Sequence, residues 1–422
     1  MMRRLSDQIH HVTAPGVDVQ LLPWQIDSVV SLRASYPCPV DLAAGEGIWL
    51  DLLAAMLDKG TRSRTKAVIN DQLERIGASI SFSAVGDRVD VSARFLARDL
   101  DLVLGLVREQ LMEPAFDEGE LALIKGRIRA HLARQQSDPV FMGRNRLSRI
   151  LFDSDHPAYE WSVEELTAVL DRIEVDALQD LHSRNSLWDG LRVAVVGDVS
   201  GAHVSRISDE LVLKPDGPGL GFTKARRSVA RAGEPAEIHI EIPDRPNMNV
   251  LLAHPIDVKT VSDDYLPLWM GTFILGGNFS SRLMTTVRDE RGLTYGIRSY
   301  LSGMGALQPG AWMTSVTLSS KVVQEGLQVT REVLSRFVEE GISEEELRDG
   351  KSTMIGSYEV DLSTTAGVAG RLLLNMHRGW GPSRIDDHPD LIASVQAREV
   401  NRIIGERFDP SLLTVVTSGT RA

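Results

Sequence analysis

Two stretches of the chain repeat one pattern of helices, and this repeat limits the folds that the chain can adopt. Residues 116–125 (FDEGELALIK) and 342–351 (ISEEELRDGK) each join an amphipathic helix to a second helix, at a spacing of 226 residues. Each second helix is predicted to begin at a favoured N-cap, Asp117 or Ser343, with acidic residues in its first turn. A spacing this long exceeds a solenoid repeat, so the sequence predicts a duplicated domain of roughly 200 residues.

Both halves are also predicted to end on an apolar strand that closes on glycine or aspartate. These strands are residues 191–198 (LRVAVVGD) and 412–419 (LLTVVTSG), and each follows a helical stretch. Between the halves, residues 214–236 are rich in Gly, Pro and basic residues and show no periodicity, which is typical of a linker. We therefore predict a first domain at residues 1–213, a linker at 214–236 and a second domain at 237–422.

Within each half, predicted strands come before predicted helices. Residues 78–96 alternate in polarity on both sides of "VGD", which is typical of a β-hairpin. In the second half, "EIHIEIP", "NVLLAHPI" and "GAWMTSVTL" have the same strand character. The pattern predicts an α+β fold of two homologous domains, each an antiparallel β-sheet with helices packed on one face.

Composition and charge narrow the class of protein. The chain has 422 residues, 43% hydrophobic and 25% charged, and its net charge of -12 argues against binding to nucleic acid or to an anionic membrane. No segment approaches the about 18 apolar residues of a membrane span, and the N-terminus lacks the apolar run of a signal peptide. Cys38 is the single cysteine, so no disulfide forms within the chain. We expect a cytoplasmic protein.

A predicted helix near the N-terminus contains the stretch "DLLAAMLDKGT" at residues 51–61. This stretch resembles the first signature of the pitrilysin/insulinase-type zinc peptidases, the inverzincins, which include the mitochondrial processing peptidases. Their mark is H-x-x-E-H on a helix near the start of the first domain. Met56, Lys59, Gly60 and Thr61 match the residues that usually follow this motif in the family. The resemblance extends over nearly the whole chain.

The resemblance places the metal ligands and the catalytic base of the family on residues that cannot do this chemistry. The H-x-x-E-H positions fall on Asp51, Ala54 and Ala55, and the third zinc ligand falls on Ala130 or His131. A catalytic zinc site needs three protein ligands and a bound water, and hydrolysis needs a carboxylate base. Alanine provides neither, so we expect no metal site in this chain.

The helix is then expected to be retained for packing. Its apolar side is predicted to face the sheet, with a glycine, Gly60, ending the helix. The packing residues are Ile48, Leu52, Leu53, Met56 and Leu57.

The second half contains "ILGGNFSSRLMTTVRDERGLTYGIRSY" at residues 274–300. Two glycines are predicted to form a turn, and Ser280 or Ser281 is predicted to cap a helix that ends at Gly292. Arg288 then lies in the last turn of this helix, and Tyr295 opens a strand. The inward-facing residues of the helix are predicted to be Leu283, Met284 and Val287.

This stretch resembles the second signature of the same family, G-G-x-x-S-S-R-L followed by R-x-x-x-G-L-x-Y. The resemblance implies that Arg288 and Tyr295 bind the substrate backbone opposite the zinc ion and stabilise the oxyanion. Both side chains donate hydrogen bonds and neither competes for the metal. Arg282, near the start of the helix, and Arg291, beside Gly292, are weaker candidates. Without the resemblance, an Arg at a helix C-terminus is already favourable because of the helix dipole.

The resemblance therefore implies the subunit without zinc in a heterodimeric zinc metallopeptidase. A homologous partner with H-x-x-E-H would hold the zinc and cut a peptide substrate, while this chain contributes Arg288 and Tyr295. An alternative is a non-catalytic scaffold or peptide-binding member of the family. A third reading, a stand-alone zinc peptidase with substituted ligands, ranks last.

Overall fold

A computed structural model of the chain describes residues 4–14, 16–24, 28–38, 40–41, 44–184, 190–211, 235–306 and 308–421. The fold is 51% helical and 22% strand and contains two sheets with packed helices. The predicted α+β class is confirmed. Within the described residues, no helix is both long enough and apolar enough to cross a membrane.

The strands follow one another along the chain in two groups that form two sheets. The strands are β1 (His10–Ala14), β2 (Val17–Pro23), β3 (Val29–Pro37), β4 (Ser79–Val85), β5 (Arg88–Leu96), β6 (Leu191–Gly197), β7 (Glu237–Glu241), β8 (Asn247–Ile256), β9 (Ile297–Ser302), β10 (Gly310–Ser319) and β11 (Thr414–Gly419).

Helices fill most of the sequence between these strands. The α-helices are α1 (Gly47–Met56), α2 (Lys66–Ile76), α3 (Leu100–Met112), α4 (Glu118–Gln135), α5 (Pro139–Leu151), α6 (Val163–Arg172), α7 (Val175–Arg184), α8 (His203–Leu211), α9 (Tyr265–Gly276), α10 (Val323–Glu340), α11 (Glu344–Asp361), α12 (Thr365–His377), α13 (Arg384–Ser394) and α14 (Ala397–Arg407).

The chain forms two compact units, and each unit contains a segment from the other half of the sequence. The first unit consists of Met1–Ala130, Glu164–Lys224 and Ser357–His388, and the second of His131–Val163, Ala225–Gly356 and Pro389–Ala422. The predicted linker at 214–236 lies outside the described residues except for its last two positions. The predicted domain limits therefore stay a prediction.

The two sheets have the same strand order once the first strand is set aside. The order is β1-β2-β6-β3-β5-β4 in the first unit and β7-β11-β8-β10-β9 in the second. Each sheet contains one parallel pair, β2 with β6 and β7 with β11, and its other pairs are antiparallel. The parallel pairs differ from the predicted all-antiparallel sheets. They arise because β6 and β11 enter their sheets after long helical connections, which a parallel partner requires.

The second difference from the prediction is that the central strands are covered on both faces. In the second unit, Val250 and Leu252 of β8 face the core built with α9, α10 and α14, while Leu251 and Ala253 face Leu147 and other residues in and after α5. Successive strand residues point to opposite faces, so a strand that is apolar at every position needs cover on both sides.

The first sheet is arranged in the same way. Ser31 of β3 hydrogen-bonds Thr365 of α12, at an Oγ to Oγ1 distance of 2.9 Å. On the opposite face, the hydroxyl of Tyr36 donates to the carbonyl of Leu211 in α8 at 3.1 Å. In each unit, the exchanged segment thus contributes a helix, α12 or α5, that packs on the sheet.

Candidate functional site

The helix of the first signature, α1, is a packing element of the first unit. All of the residues predicted to face the core are buried, and α1 lies against β4, β5 and α7. This prediction is confirmed. The helix ends at Met56, and Gly60 follows in a turn at φ 112°, where an added Cβ would lie 3.1 Å from the carbonyl oxygen of Arg64. The turn after the helix therefore requires glycine at this position, and Gly60 does not itself end the helix.

The residues at the H-x-x-E-H positions do not form a metal site. Ala54 is 2% exposed, so its methyl group is part of the core, and Ala55 is half-buried. Asp51 is exposed, although neighbouring protein atoms still desolvate its carboxyl and raise its pKa. In the second unit, His131 lies on the exposed side of α4. Across the described residues, no three His, Cys, Asp or Glu side chains form a cluster that could hold a metal ion.

A zinc ion needs three ligands of the His or carboxylate type and a nearby base, and the residue types in α1 do not fit that need. We therefore assign no catalytic step to this helix.

The second signature begins where α9 meets β9 in the second unit. An added Cβ on Gly276, the last residue of α9, would lie 2.4 Å from the backbone nitrogen of Ser299 in β9. Only glycine allows this close approach of helix and strand. After Gly277, Asn278 holds the turn: its side-chain oxygen accepts from the N–H of Ser280 at 2.9 Å, and its carbonyl accepts from the hydroxyl of Ser281 at 2.7 Å. Neither serine therefore makes the predicted side-chain cap.

The helix that carries Arg288 has an unusual form that the sequence pattern did not indicate. Residues Met284–Glu290 are π-helical, and the N–H of Arg291 donates to the carbonyl of Thr286 at 3.2 Å. Gly292 ends the helix at φ 63°, and its N–H donates to the carbonyl of Arg288 at 3.0 Å, as predicted. The π-helix is rare and often occurs at functional sites. The predicted inward-facing residues Leu283, Met284 and Val287 are buried.

Arg288 lies in the last turn of this helix, at the surface of the second unit. Its side chain is 39% exposed, and Nη1 lies 3.5 Å from Oδ1 of its neighbour Asp289. Its Cζ lies 5.7 Å from the centroid of the Phe279 ring, and Phe279 itself is 79% exposed. The guanidinium is therefore oriented by an aromatic ring, while most of its N–H donors have no hydrogen-bond acceptor among the described residues.

Tyr295 lies in the bend between this helix and β9, two residues before the strand begins. Its side chain is fully exposed, and its hydroxyl makes no hydrogen bond within the described part of the chain. The backbone on both sides is anchored. The hydroxyl of Thr294 donates to the carbonyl of Thr317 in β10 at 2.7 Å, and the N–H of Ile297 lies 3.5 Å from Sδ of Met284. The segment thus presents a phenol to solvent from a fixed loop.

The two weaker candidates have other roles. Arg282 pairs with Glu346 of α11 through two hydrogen bonds, one of them 2.6 Å long, and also donates to the carbonyl of Gly341 at 2.6 Å. Arg282 is therefore a structural residue. Arg291 is exposed and lines an open groove of about 800 Å³, together with residues of β7 and α10 such as Glu237 and Arg331. Sequence reasoning missed Phe279, although the residue lies inside the quoted signature.

Comparison with known proteins places this arrangement in context. Residues 172–354 match the family model described as "Peptidase M16 inactive domain". The chain is 23% identical over 309 residues to "Non-peptidase homolog YmxG" of Helicobacter pylori, covering 72% of this chain and 69% of that protein. It is 25% identical over 376 residues to "Uncharacterized zinc protease SCO5738" of Streptomyces coelicolor, covering 86% and 79%.

A similar fold occurs in a solved structure. The crystal structure of a peptidase M16 inactive domain from Pseudomonas fluorescens has a TM-score of 0.86 to this chain at 23% identity, and the match covers 98% of both chains. At this identity, the similarity supports the fold.

Proposed function

We propose that this chain, whose residues 172–354 match the inactive-domain model of the peptidase M16 family, is the subunit without zinc in a two-subunit metallopeptidase. Its partner would be a homologous chain with an intact H-x-x-E-H motif, and the substrate would be a peptide. The residue types at Asp51, Ala54 and Ala55 support this proposal, because they leave the chain dependent on another protein for metal chemistry.

In the proposed complex, Arg288 and Tyr295 bind the peptide backbone and stabilise the oxyanion that forms at the bond being cut. The proposal depends most on one observation: both side chains lie on the surface of one anchored segment, and their hydrogen-bond donors are largely uncommitted. A guanidinium and a phenol can both donate to a developing negative charge. Loss of one such donor typically costs about 10²–10³ in rate.

Anchoring of the segment supports a role in positioning. Stabilisation of a transition state requires donors that are held in place before the reaction, since a mobile donor must first be ordered. Here Arg288 is held by a helix whose inner side is buried, and the loop of Tyr295 is tied to β10. A purely structural arginine would instead resemble Arg282, which is committed to Glu346.

A second candidate function is a non-catalytic scaffold or peptide-binding protein. The name of the Helicobacter pylori relative, a non-peptidase homolog, favours this alternative. In that case, the Arg288 and Tyr295 segment would bind peptide without taking part in its hydrolysis.

The test is co-expression with an M16 protein that carries H-x-x-E-H, preferably one encoded beside this chain. The complex is purified and assayed on an unfolded peptide. We expect neither chain alone to hydrolyse the peptide and the complex to do so. Arg288→Ala and Tyr295→Phe should each lower kcat by about 10²–10³, while the complex still assembles in size-exclusion chromatography.

Arg291→Ala is the matched control, because it removes an exposed arginine three residues from Arg288. The control should retain nearly full kcat. Full activity in both test variants would refute the catalytic role. Peptide binding without hydrolysis by any partner would favour the scaffold.

A further inference from the structure

A second group of arginines lies in the first unit, around Trp380 in the connection between α12 and α13. The Cζ atom of Arg384 lies 4.1 Å from the centroid of the Trp380 ring, and that of Arg378 lies 4.9 Å from it. Gly379 shapes this connection at φ 70°. Two guanidinium groups thus contact one indole, and the positive charge of Arg378 acts against that of Arg384.

The guanidinium of Arg384 has donors that the protein leaves unmatched. Its Nε is buried, and the group has no hydrogen-bond acceptor among the described residues. Three other arginines of the described chain also have a buried Nε without a hydrogen-bond acceptor, but each of these side chains still has a polar or acidic partner close to its guanidinium. Arg88 pairs with Asp90, Arg245 donates to Ser137, and Arg407 pairs with Asp264. Arg384 has only the Trp380 ring and more distant charges.

The nearby acidic residues are committed to other groups. Asp386 accepts from the backbone N–H groups of Leu5 and Ser6 at 3.0 and 2.9 Å, and Asp387 pairs with Arg4. A donor-rich guanidinium that is half-buried without an acceptor is unusual, because buried polar groups almost always have partners.

The surroundings of the cluster are also positive. The Cζ of Arg371 lies 4.7 Å from the centroid of the Tyr358 ring, and Asp361 accepts from Arg371 at 3.3 Å. The same tyrosine ring contacts His388, at a centroid distance of 4.7 Å. Burial, followed by the charges of Arg384, Arg371 and Arg378, lowers the pKa of His388 to about 4. The arginines therefore favour a negative charge at this place more than a further positive one.

We propose that Arg378 and Arg384 bind a small oxyanion, a phosphate or carboxylate group, at the edge of Trp380. The planar fork of a guanidinium matches either group with two parallel hydrogen bonds. An anion bound by both guanidiniums would offset their like charges and provide the acceptor that Arg384 lacks. The indole of Trp380 then orients both guanidinium groups, as aromatic faces commonly do for arginine.

The test measures anion binding to the intact chain by isothermal titration calorimetry at pH 7. Inorganic phosphate and acetate are titrated separately at constant ionic strength, with chloride as the reference anion. We expect saturable binding of at least one of the two. Saturation by phosphate alone assigns a phosphate site, and saturation by acetate alone assigns a carboxylate site. No saturable binding of either anion would overturn the proposal.

Variants locate the site. Arg384→Gln and Arg378→Gln should each weaken binding about tenfold or more, since a charge-assisted hydrogen bond contributes on this scale. Arg348→Gln is the matched control, because it removes one positive charge from a side chain that is 71% exposed on α11. The control should bind as the unchanged chain does.

Circular dichroism checks that each variant is folded. If Arg384→Gln does not fold, Arg384→Lys is measured in its place. Lysine keeps the charge but lacks the planar, forked guanidinium, so the Arg384→Lys variant should also bind the anion more weakly. Binding of equal strength in the Arg384 variants and in the control would overturn the assignment.

Discussion

The guanidinium of Arg288 lies over the ring of Phe279, with 5.7 Å between Cζ and the ring centroid. Phe279 is 79% exposed, so its ring contributes little to the core of the second unit. An exposed cation–π contact of this kind contributes about 0.5–1 kcal/mol. The contact therefore has more effect on the orientation of Arg288 than on folding.

Phe279→Ala should leave the free energy of unfolding within about 0.5 kcal/mol of the original value, because the ring is exposed. In the proposed complex, the same change should lower kcat/KM by about two- to fivefold, the equivalent of one exposed cation–π contact. Urea unfolding and peptide hydrolysis measure the two effects. Phe279→Tyr keeps an aromatic face and should retain the activity. A large loss of stability would show that the ring packs in the core.

Residues with strong local signals were predictable from the sequence. The apolar period of the stretch at 47–57 identified a packed helix face. Gly292 identified the end of the helix that carries Arg288. The spacing of polar and apolar residues decides these features within a few turns of chain. Arg288 was also placed correctly in the last turn of its helix, whereas Tyr295, predicted to open a strand, lies in the bend two residues before β9 begins.

The exchange of segments between the units was not predictable from such signals. Periodicity shows that α5 and α12 have an apolar side, but an apolar side fits any complementary surface, and only the fold shows which sheet it covers. The π-helical form of 284–290 depends on one shifted hydrogen bond per turn, which no residue type specifies. The lack of an acceptor around Arg384 was not predictable either, because it depends on distances between residues of different helices and strands.

The packed state of Ala54 predicts that the metal motif cannot be restored simply by substitution. Ala54 is 2% exposed, so Ala54→Glu would place a longer carboxylate where a methyl group now fills the core. Overpacking and desolvation should together cost about 2 kcal/mol or more of unfolding free energy. Asp51→His, at an exposed position of the same helix, should change it by less than about 0.5 kcal/mol. Urea unfolding of both variants makes the comparison, and an equally stable Ala54→Glu chain would contradict it.

The pair formed by Arg282 and Glu346 predicts a loss of stability in acid. Partial burial alone would raise the pKa of Glu346, but hydrogen bonds from Arg282 and Ser343 outweigh it, and the pKa is lowered. The contribution is therefore complete above the unfolded pKa of about 4.3 and is lost as the pH falls through the lower folded value.

Glu346→Gln should accordingly destabilise the chain by about 1–3 kcal/mol at pH 7. The difference from the original chain should shrink as the pH falls below the unfolded pKa of about 4.3. Unfolding free energies measured across this range test the sign. A difference that stays constant with pH would show that the carboxylate charge is not what stabilises the pair.

The glycines that close β6 and β11 predict equivalent effects in the two units. Gly197 has φ 146° and Gly419 has φ 139°. An added Cβ on Gly197 would lie 2.1 Å from the carbonyl oxygen of Val29, and one on Gly419 would lie 2.9 Å from that of Asn247. Val29 and Asn247 are the first residues of β3 and β8, which pair with β6 and β11.

Gly197→Ala should therefore destabilise the chain by about 2 kcal/mol or more, and Gly419→Ala somewhat less, since both add strain at positive φ and a clash with a neighbouring strand. Gly105→Ala in α3 is the control, because its added Cβ meets no atom within 4 Å outside its own stretch of helix. Alanine in a helix should raise stability there by about 0.5–1 kcal/mol. Urea unfolding of the three variants gives the comparison. A neutral Gly419→Ala beside a costly Gly197→Ala would mean that the two glycines share a sequence pattern without sharing a structural role.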